Sequence, residues 1–348
     1  MRQPPTLGLR AYGEPLGEVQ VAAFPEDFLV DECLGFRPTA DGPHVLVRIE
    51  KRGLSTSEAV RRLARHWAVP ARAIGHAGRK DRAGVTRQWL SVPWSVHSAL
   101  PRTGAMDDQL QLLEIQRHRR KLRVGAHRGN RFRLLIRGVE APHGTVNARL
   151  ARIARQGVPN YFGPQRFGRD GDNLDRAIRW LLQGGDAPRN RTDRGMLLSA
   201  LRSEAFNRVL ATRLADGDWW QARADDLLVL DGRGSLFPAE REAPSRRARR
   251  IAGLAIHPTG PLPGRARSGL CLPATLQARE AMALSDLAAA PEALAGIGVE
   301  ADRRPLRLAA GGLTWSWPAA DRLMLHFSLP PGGFATTVLR ELFRWSAP

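Results

Sequence analysis

Hydrophobic and polar positions alternate with a period of two at several points along the chain. Phe28 and Val30, then Val45, Val47 and Ile49, mark short half-buried strands between Val19 and Glu50. A helix follows. Ser55 and Glu58 have capping-box spacing, Val60, Leu63, Ala64 and Trp67 share one helical face, and Pro70 closes the segment. IGHAGRKDRAG is a Gly-punctuated loop, and VTRQWLSV from Val85 to Val92 has strand composition, so Asp81 sits on a loop entering a strand. Phe132, Leu134 and Ile136 alternate with Arg131, Arg133 and Arg137 in a further strand.

The period then lengthens. A helix capped near Thr145 gathers Val146, Leu150 and Ile153 and stops at Gly157, and another from Asp172 carries a stripe of Leu174, Ala177, Ile178, Leu181 and Leu182. Gly184 and Gly185 end it, and the polar GDAPRNRTDRG that continues from this pair is the best candidate domain boundary. Beyond lie a helix around Ser203 to Leu214, a hairpin at Asp231 and Gly232, the Pro/Gly-rich HPTGPLPG, and an Ala-rich helix from about Leu276 to Ala289. Strand alternation returns at Leu323, Leu325, Phe327 and Leu329, and Pro330 to Gly333 turn into a last helix from Phe334. No internal repeat is visible.

Length and composition narrow the classes. The 348 residues suit one large domain or two smaller ones, and 43% hydrophobic with 25% charged residues is a globular balance. The amino-terminal MRQPPTLGLRAYGEPLG has no apolar h-region, and the least polar later stretch, Met282 to Val299, is broken by Asp286, Pro291 and Glu292. These features predict a soluble cytoplasmic protein with no membrane association. Cys33 and Cys271 are too few for a disulfide framework, and no two histidines stand at ligand spacing, so no metal is expected.

The formal charge of +19 exceeds what solubility requires and points to a polyanion, nucleic acid first. Residues 116–133, QRHRRKLRVGAHRGNRFR, hold eight Arg or Lys and no acid, and SRRARR at 245–250 is a second basic run. Either run alone is also what a solvated face looks like; the two together with the global excess favour phosphate contacts. Only Lys51, Lys80 and Lys121 are lysines, so a lysine beside a candidate catalytic acid stands out. A P-loop and a GxSxG elbow are both missing, which leaves nucleotide hydrolysis and Ser-hydrolase chemistry without support.

Two loops carry candidate chemistry. In GRKDRAGVTRQ, Asp81 is flanked by Arg79, Lys80 and Arg82, whose charges favour the carboxylate a nucleophile or base needs; a surface Asp in a basic loop is the bland alternative. A metal-dependent nuclease would gather several carboxylates instead. NYFGPQRFG, Asn160 to Gly168, combines an amide, three aromatics and an Arg, which suits a splayed-out base as well as an ordinary turn with buried rings.

Together these loops resemble the TruD family of transfer RNA pseudouridine synthases. Family-like elements occur in order: PEDFLVDE, GRKDRAGVTRQW, KLRVGAHRGNRF, VPNYFGPQRFG, SALRSEAFN, PTGPLPG, RRPLRL and LPPGGFATTVLREL. Gly84 departs from the pattern, standing where the family usually has Ala, and is expected to loosen the loop without touching its chemistry. The resemblance implies an α+β fold, a pseudouridine synthase-type mixed β-sheet catalytic domain interrupted by an α/β TRUD insertion domain. Mapped here, residues 1–185 and 304–348 are catalytic and 186–303 are inserted. It further implies isomerisation of a tRNA uridine, uridine 13 in the D-arm region, to pseudouridine, with no cofactor and no obligate protein partner. Asp81 is then the essential carboxylate. Phe28, Asn160 and Phe334 contact substrate, and Phe162 lines the pocket beside a flipped base. Adjacency gives Lys80 two possible roles, holding the Asp81 carboxylate charged and oriented or gripping phosphate. Attack on C1′, attack on C6 and abstraction of the 2′ proton all remain compatible with an Asp. The competing classes are a non-catalytic RNA-binding or ribosome-assembly factor and a nuclease.

Overall fold

The computed structural model describes residues 8–80, 82–168, 171–266 and 271–345. In chain order the strands and helices are β1 (Gln20–Val21), β2 (Phe28–Leu34), β3 (His44–Arg52), α1 (Thr56–His66), β4 (Gly75–His76), β5 (Val85–Pro93), β6 (Gly104–Asp107), β7 (Leu110–His118), β8 (His127–Arg137), α2 (His143–Gln156), β9 (Val158–Pro159), α3 (Asn173–Leu182) and α4 (Arg191–Ala215). Then come β10 (Leu227–Leu230), β11 (Leu236–Pro238), α5 (Pro244–Ala252), β12 (Ile256–Leu262), α6 (Ala274–Ala283), α7 (Ala290–Gly296), β13 (Asp302–Pro305), β14 (Arg307–Leu308), β15 (Gly311–Ala319), β16 (Arg322–Leu329) and α8 (Ala335–Arg340).

Contacts divide the chain into two compact units. The first comprises residues 15–147, 310–335 and the chain from 342, and is built on a mixed sheet in the order β15-β16-β8-β2-β5-β3-β7-β6, with β1 added on β8 and β4 on β5. Among the described residues β2 and β5 are the one parallel pair of this sheet, and its other strand pairs are antiparallel. The late strand β16 pairs along its whole length with β8, Arg322 opposite Arg137 through Leu329 opposite Asn130. β3 was expected to be half-buried, yet Val45, Leu46 and Val47 are all inaccessible. It lies between β5 and β7, with α1 packed over one face and Trp89 and Leu122 meeting Leu46 on the other. The capping box at the start of α1 forms as the spacing predicts: the Glu58 N–H donates to Ser55 Oγ, and the Ser55 N–H donates to Glu58 Oε2.

The second unit comprises the segment up to Glu14, residues 148–309 and 336–341. Its sheet runs β11-β10-β12-β13, and α3, α4 and α7 pack round Ala177, Leu197, Leu201 and Leu294. One sequence expectation changes here. The helix expected around Ser203 begins at Arg191, because Asn190 caps it through the Thr192 N–H and because Leu197, Ala200 and Leu201 bury a face that charged neighbours and Gly195 obscure. HPTGPLPG, singled out in the sequence only as Pro/Gly-rich, is for most of its length strand β12. Each stretch of β12 has a single partner, β10 along 256–258 and β13 along 259–262, so Pro258 and Pro261 cost little ladder bonding. Gly260 lets β12 approach Phe206 and Leu306; a Cβ there would stand 2.9 Å from Leu306 Cδ2. Among the described residues no helix is long and apolar enough to cross a membrane.

Candidate active site and RNA-binding surface

The loop that carries GRKDRAG leaves β4 and enters β5, and the parallel pairing of β5 with β2 sets Leu29 opposite Val85. Gly84 turns the chain into β5 at φ +103°, and a Cβ there would lie 2.4 Å from the Phe28 carbonyl oxygen. Gly84 therefore tightens the loop rather than loosening it, since only a residue without Cβ can press this closely on Phe28. The Phe28 ring is half-buried, edge-on to Phe132 at 6.4 Å, and Phe132 in turn stacks on Phe327.

Asp81 lies outside the described residues; its chain neighbour Lys80 is held at two points. The Lys80 N–H donates to Thr56 Oγ1 at 2.9 Å, and the Thr56 hydroxyl donates to Gln88 Oε1 at 2.9 Å. The Lys80 ammonium meets Glu32 Oε2 at 2.5 Å, with side-chain exposures of 6% and 0%. Glu32 Oε1 accepts the Trp89 N–H of β5. The ammonium thus has a buried carboxylate partner that neither expected role supplied. Burial pushes the His76 and His127 imidazoles below their ordinary range, with the Arg79 charge adding to the effect at His76 and Glu32 opposing it at His127. Gly78 lies beside His127 and the lysine: a Cβ on it would stand 3.4 Å from His127 Cε1 and 3.5 Å from Lys80 Nζ, in ordinary contact with both.

Phe334 belongs to the same unit. It follows the Pro330 to Gly333 turn, where Gly332 has φ +77°, and is 39% exposed. An exposed ring directly before a helix is available for stacking.

The second cluster, in the other unit, surrounds NYFG. Asn160 is fully engaged: its N–H donates to the Leu306 carbonyl, its Nδ2 to the Pro305 carbonyl at 2.8 Å, and its Oδ1 accepts from Arg304 Nη2 at 2.5 Å. Phe162 is 6% exposed, lies edge-on to Phe206 at 5.4 Å, and has its backbone pinned at both ends by the Asn207 amide. The Arg304 guanidinium lies over its ring at 4.2 Å, and that of Arg166 is 5.2 Å from the same centroid. Phe206, Asn207, Arg304 and Glu32 are residues the sequence reading did not single out. Each lies inside a quoted element, SEAFN, RRPLRL or PEDFLVDE, so the signal was a motif without an assigned role.

Of the basic stretch, Arg119 is tied to Asp41, both groups exposed, while Arg120, Arg123, Arg128 and Arg133 are exposed with no carboxylate partner among the described residues. No group of three His, Cys, Asp or Glu side chains is arranged to hold a metal among the described residues.

An α+β protein with a mixed sheet and an uncompensated basic surface is the class these features define. The same fold occurs in a putative tRNA pseudouridine synthase D of Methanosarcina mazei, with a TM-score of 0.68 over 97% of this chain and 96% of that one at 21% identity. Residues 17–185 and 190–342 match the family described as tRNA pseudouridine synthase D (TruD), and the chain belongs to that family. Its sequence is 45% identical over 344 residues to the tRNA pseudouridine synthase D of Pseudomonas syringae pv. syringae, covering 98% of this chain and 96% of that protein. It is 46% identical to that of Stutzerimonas stutzeri, covering 98% and 97%.

Proposed function

We propose that this protein isomerises a uridine of transfer RNA, uridine 13 in the D-arm, to pseudouridine, with Asp81 as the essential carboxylate and no cofactor. The N1–C1′ bond breaks, the uracil turns in place, and a C5–C1′ bond forms as C5 gives up its proton and N1 takes one, so nothing is oxidised and no group leaves. The observation that carries this reading is the family match across nearly the whole chain, Lys-Asp loop included. The geometry adds support. The loop is anchored on both sides of Asp81, by Lys80 to Glu32 and Thr56 and by Gly84 against Phe28, as a group needing accurate placement requires. Phe28 and the exposed Phe334 are the aromatic contacts to substrate, and Phe162 and Asn160 shape the second cluster. The inserted domain is assigned to 186–303, wholly within the second unit.

The test is incubation with an unmodified tRNA transcript, with and without EDTA, followed by carbodiimide-dependent primer-extension mapping. One new stop at a D-arm uridine, indifferent to EDTA, is expected. Strand cleavage abolished by EDTA would indicate a nuclease, and binding without conversion an RNA-binding factor.

A further inference from the structure

Arg303 and Arg304 are neighbours on β13 with opposite electrostatic fates. Arg303 is buried and meets Glu280 at 2.5 Å. Arg304 is half-buried, and among the described residues its hydrogen bonds go to the carbonyl and side-chain oxygens of Asn160. No carboxylate pairs with it among the described residues, and none pairs with Arg166, whose hydrogen bond is to Ser199 Oγ. Both guanidinium groups border the one Phe162 ring. Burial pushes Arg304 down to about 10, and the Arg166 charge pushes the same way. Two guanidinium groups on one ring, with no counter-ion among the described residues, offer charge and donors that a bound anion would satisfy.

We infer that Arg304 and Arg166 form a phosphate clamp on the Phe162 ring, which takes one phosphodiester of the RNA strand. The clamp is assembled from three separate segments. Asn160 fixes the Arg304 fork, Ser199 of α4 steers Arg166, and Phe206 and Asn207 of the same helix hold Phe162 in place. A planar, weakly hydrated guanidinium suits this task, because it can stack on an aromatic ring while its edge offers parallel N–H donors to phosphate oxygens. Asn160 then acts as a positioning residue for Arg304.

The inference rests on RNA being the substrate, and the experiment separates the two claims. Transcripts are assembled with one uncharged methylphosphonate linkage at a time around the modified uridine, and dissociation constants are measured for the unaltered protein, Arg304→Gln and Arg166→Gln. Conversion of all-phosphate tRNA by the unaltered protein tests the substrate reading independently. One linkage is expected to weaken binding by the unaltered protein about tenfold. Each variant should bind all-phosphate RNA about tenfold more weakly, with no further loss at that same linkage, and should lower the log-log salt slope by roughly 0.7 to 0.9. Arg166 is exposed, so its replacement leaves the fold intact even if Arg304→Gln unfolds. Losses that stay additive at every linkage, or an Arg166→Gln protein with unchanged affinity and slope, would overturn the clamp.

Discussion

Replacing Lys80 with Met removes the cation of a buried pair and keeps most of the side-chain volume. Glu32, at 0% side-chain exposure, would keep, among the described residues, the Trp89 N–H as its one donor. Removing one partner of a buried ion pair costs about 3 to 5 kcal/mol, because the remaining charge is neither solvated nor paired. Urea unfolding followed by tryptophan emission reads this directly, with Trp89 on the strand that donates to Glu32. Adding Glu32→Gln should restore most of the stability, since an amide oxygen still accepts from Trp89 and no charge is stranded. A Lys80→Met protein within about 1 kcal/mol of the original, or a double variant no more stable than the single one, would refute the reasoning.

Phe334→Ala should leave melting nearly unchanged and slow single-turnover conversion, because the ring is exposed; Phe162→Ala should cost about 3 to 5 kcal/mol, because that ring is enclosed by Phe206 and two arginines. Equal melting shifts in the two variants would contradict this difference. Gly84→Ala should cost about 1 to 3 kcal/mol and slow conversion, as the new Cβ would meet the Phe28 carbonyl at positive φ, and an unaltered melting temperature and rate would count against it. Stability should fall as pH drops below about 6.5. His257 is buried, accepts the Arg307 Nε–H at Nδ1 and faces Asp231 through Nε2, so burial holds it neutral with its pKa depressed. The unfolded chain takes up that proton first, a loss of up to about 1.4 kcal/mol per pH unit per group. A urea midpoint that rises from pH 7 to pH 5.5 would show the sign to be wrong.

What the sequence made legible is what depends on local chemistry. The Ser55–Glu58 box, the alternation of Phe132, Leu134 and Ile136, and the Asp231–Gly232 turn all reach the fold as their spacing implies. Local reading failed where tertiary context decides. β12 contains two prolines that act as breakers in a central strand, and it tolerates them because its partners are staggered. The first turns of α4 are charged and carry a glycine, so their buried face emerges only against α3 and α7. At the site, the motifs marked the right loops but not their partners. Lys80 meets Glu32, 48 positions away, across a parallel strand pair that periodicity does not reveal. Phe162 and Phe334 read alike as aromatics near glycine, and burial separates them.

The most direct measurement of the central claim uses one residue and one substrate. Unmodified tRNA is incubated with the unaltered protein and with Asp81→Asn, and both RNA binding and site-specific pseudouridine are followed in single-turnover reactions. The account predicts conversion at one D-arm uridine by the unaltered protein. Asp81→Asn should bind the RNA with similar affinity and lose on the order of 10⁴-fold or more in rate. Pseudouridine formation by Asp81→Asn at a rate near that of the unaltered protein would contradict it.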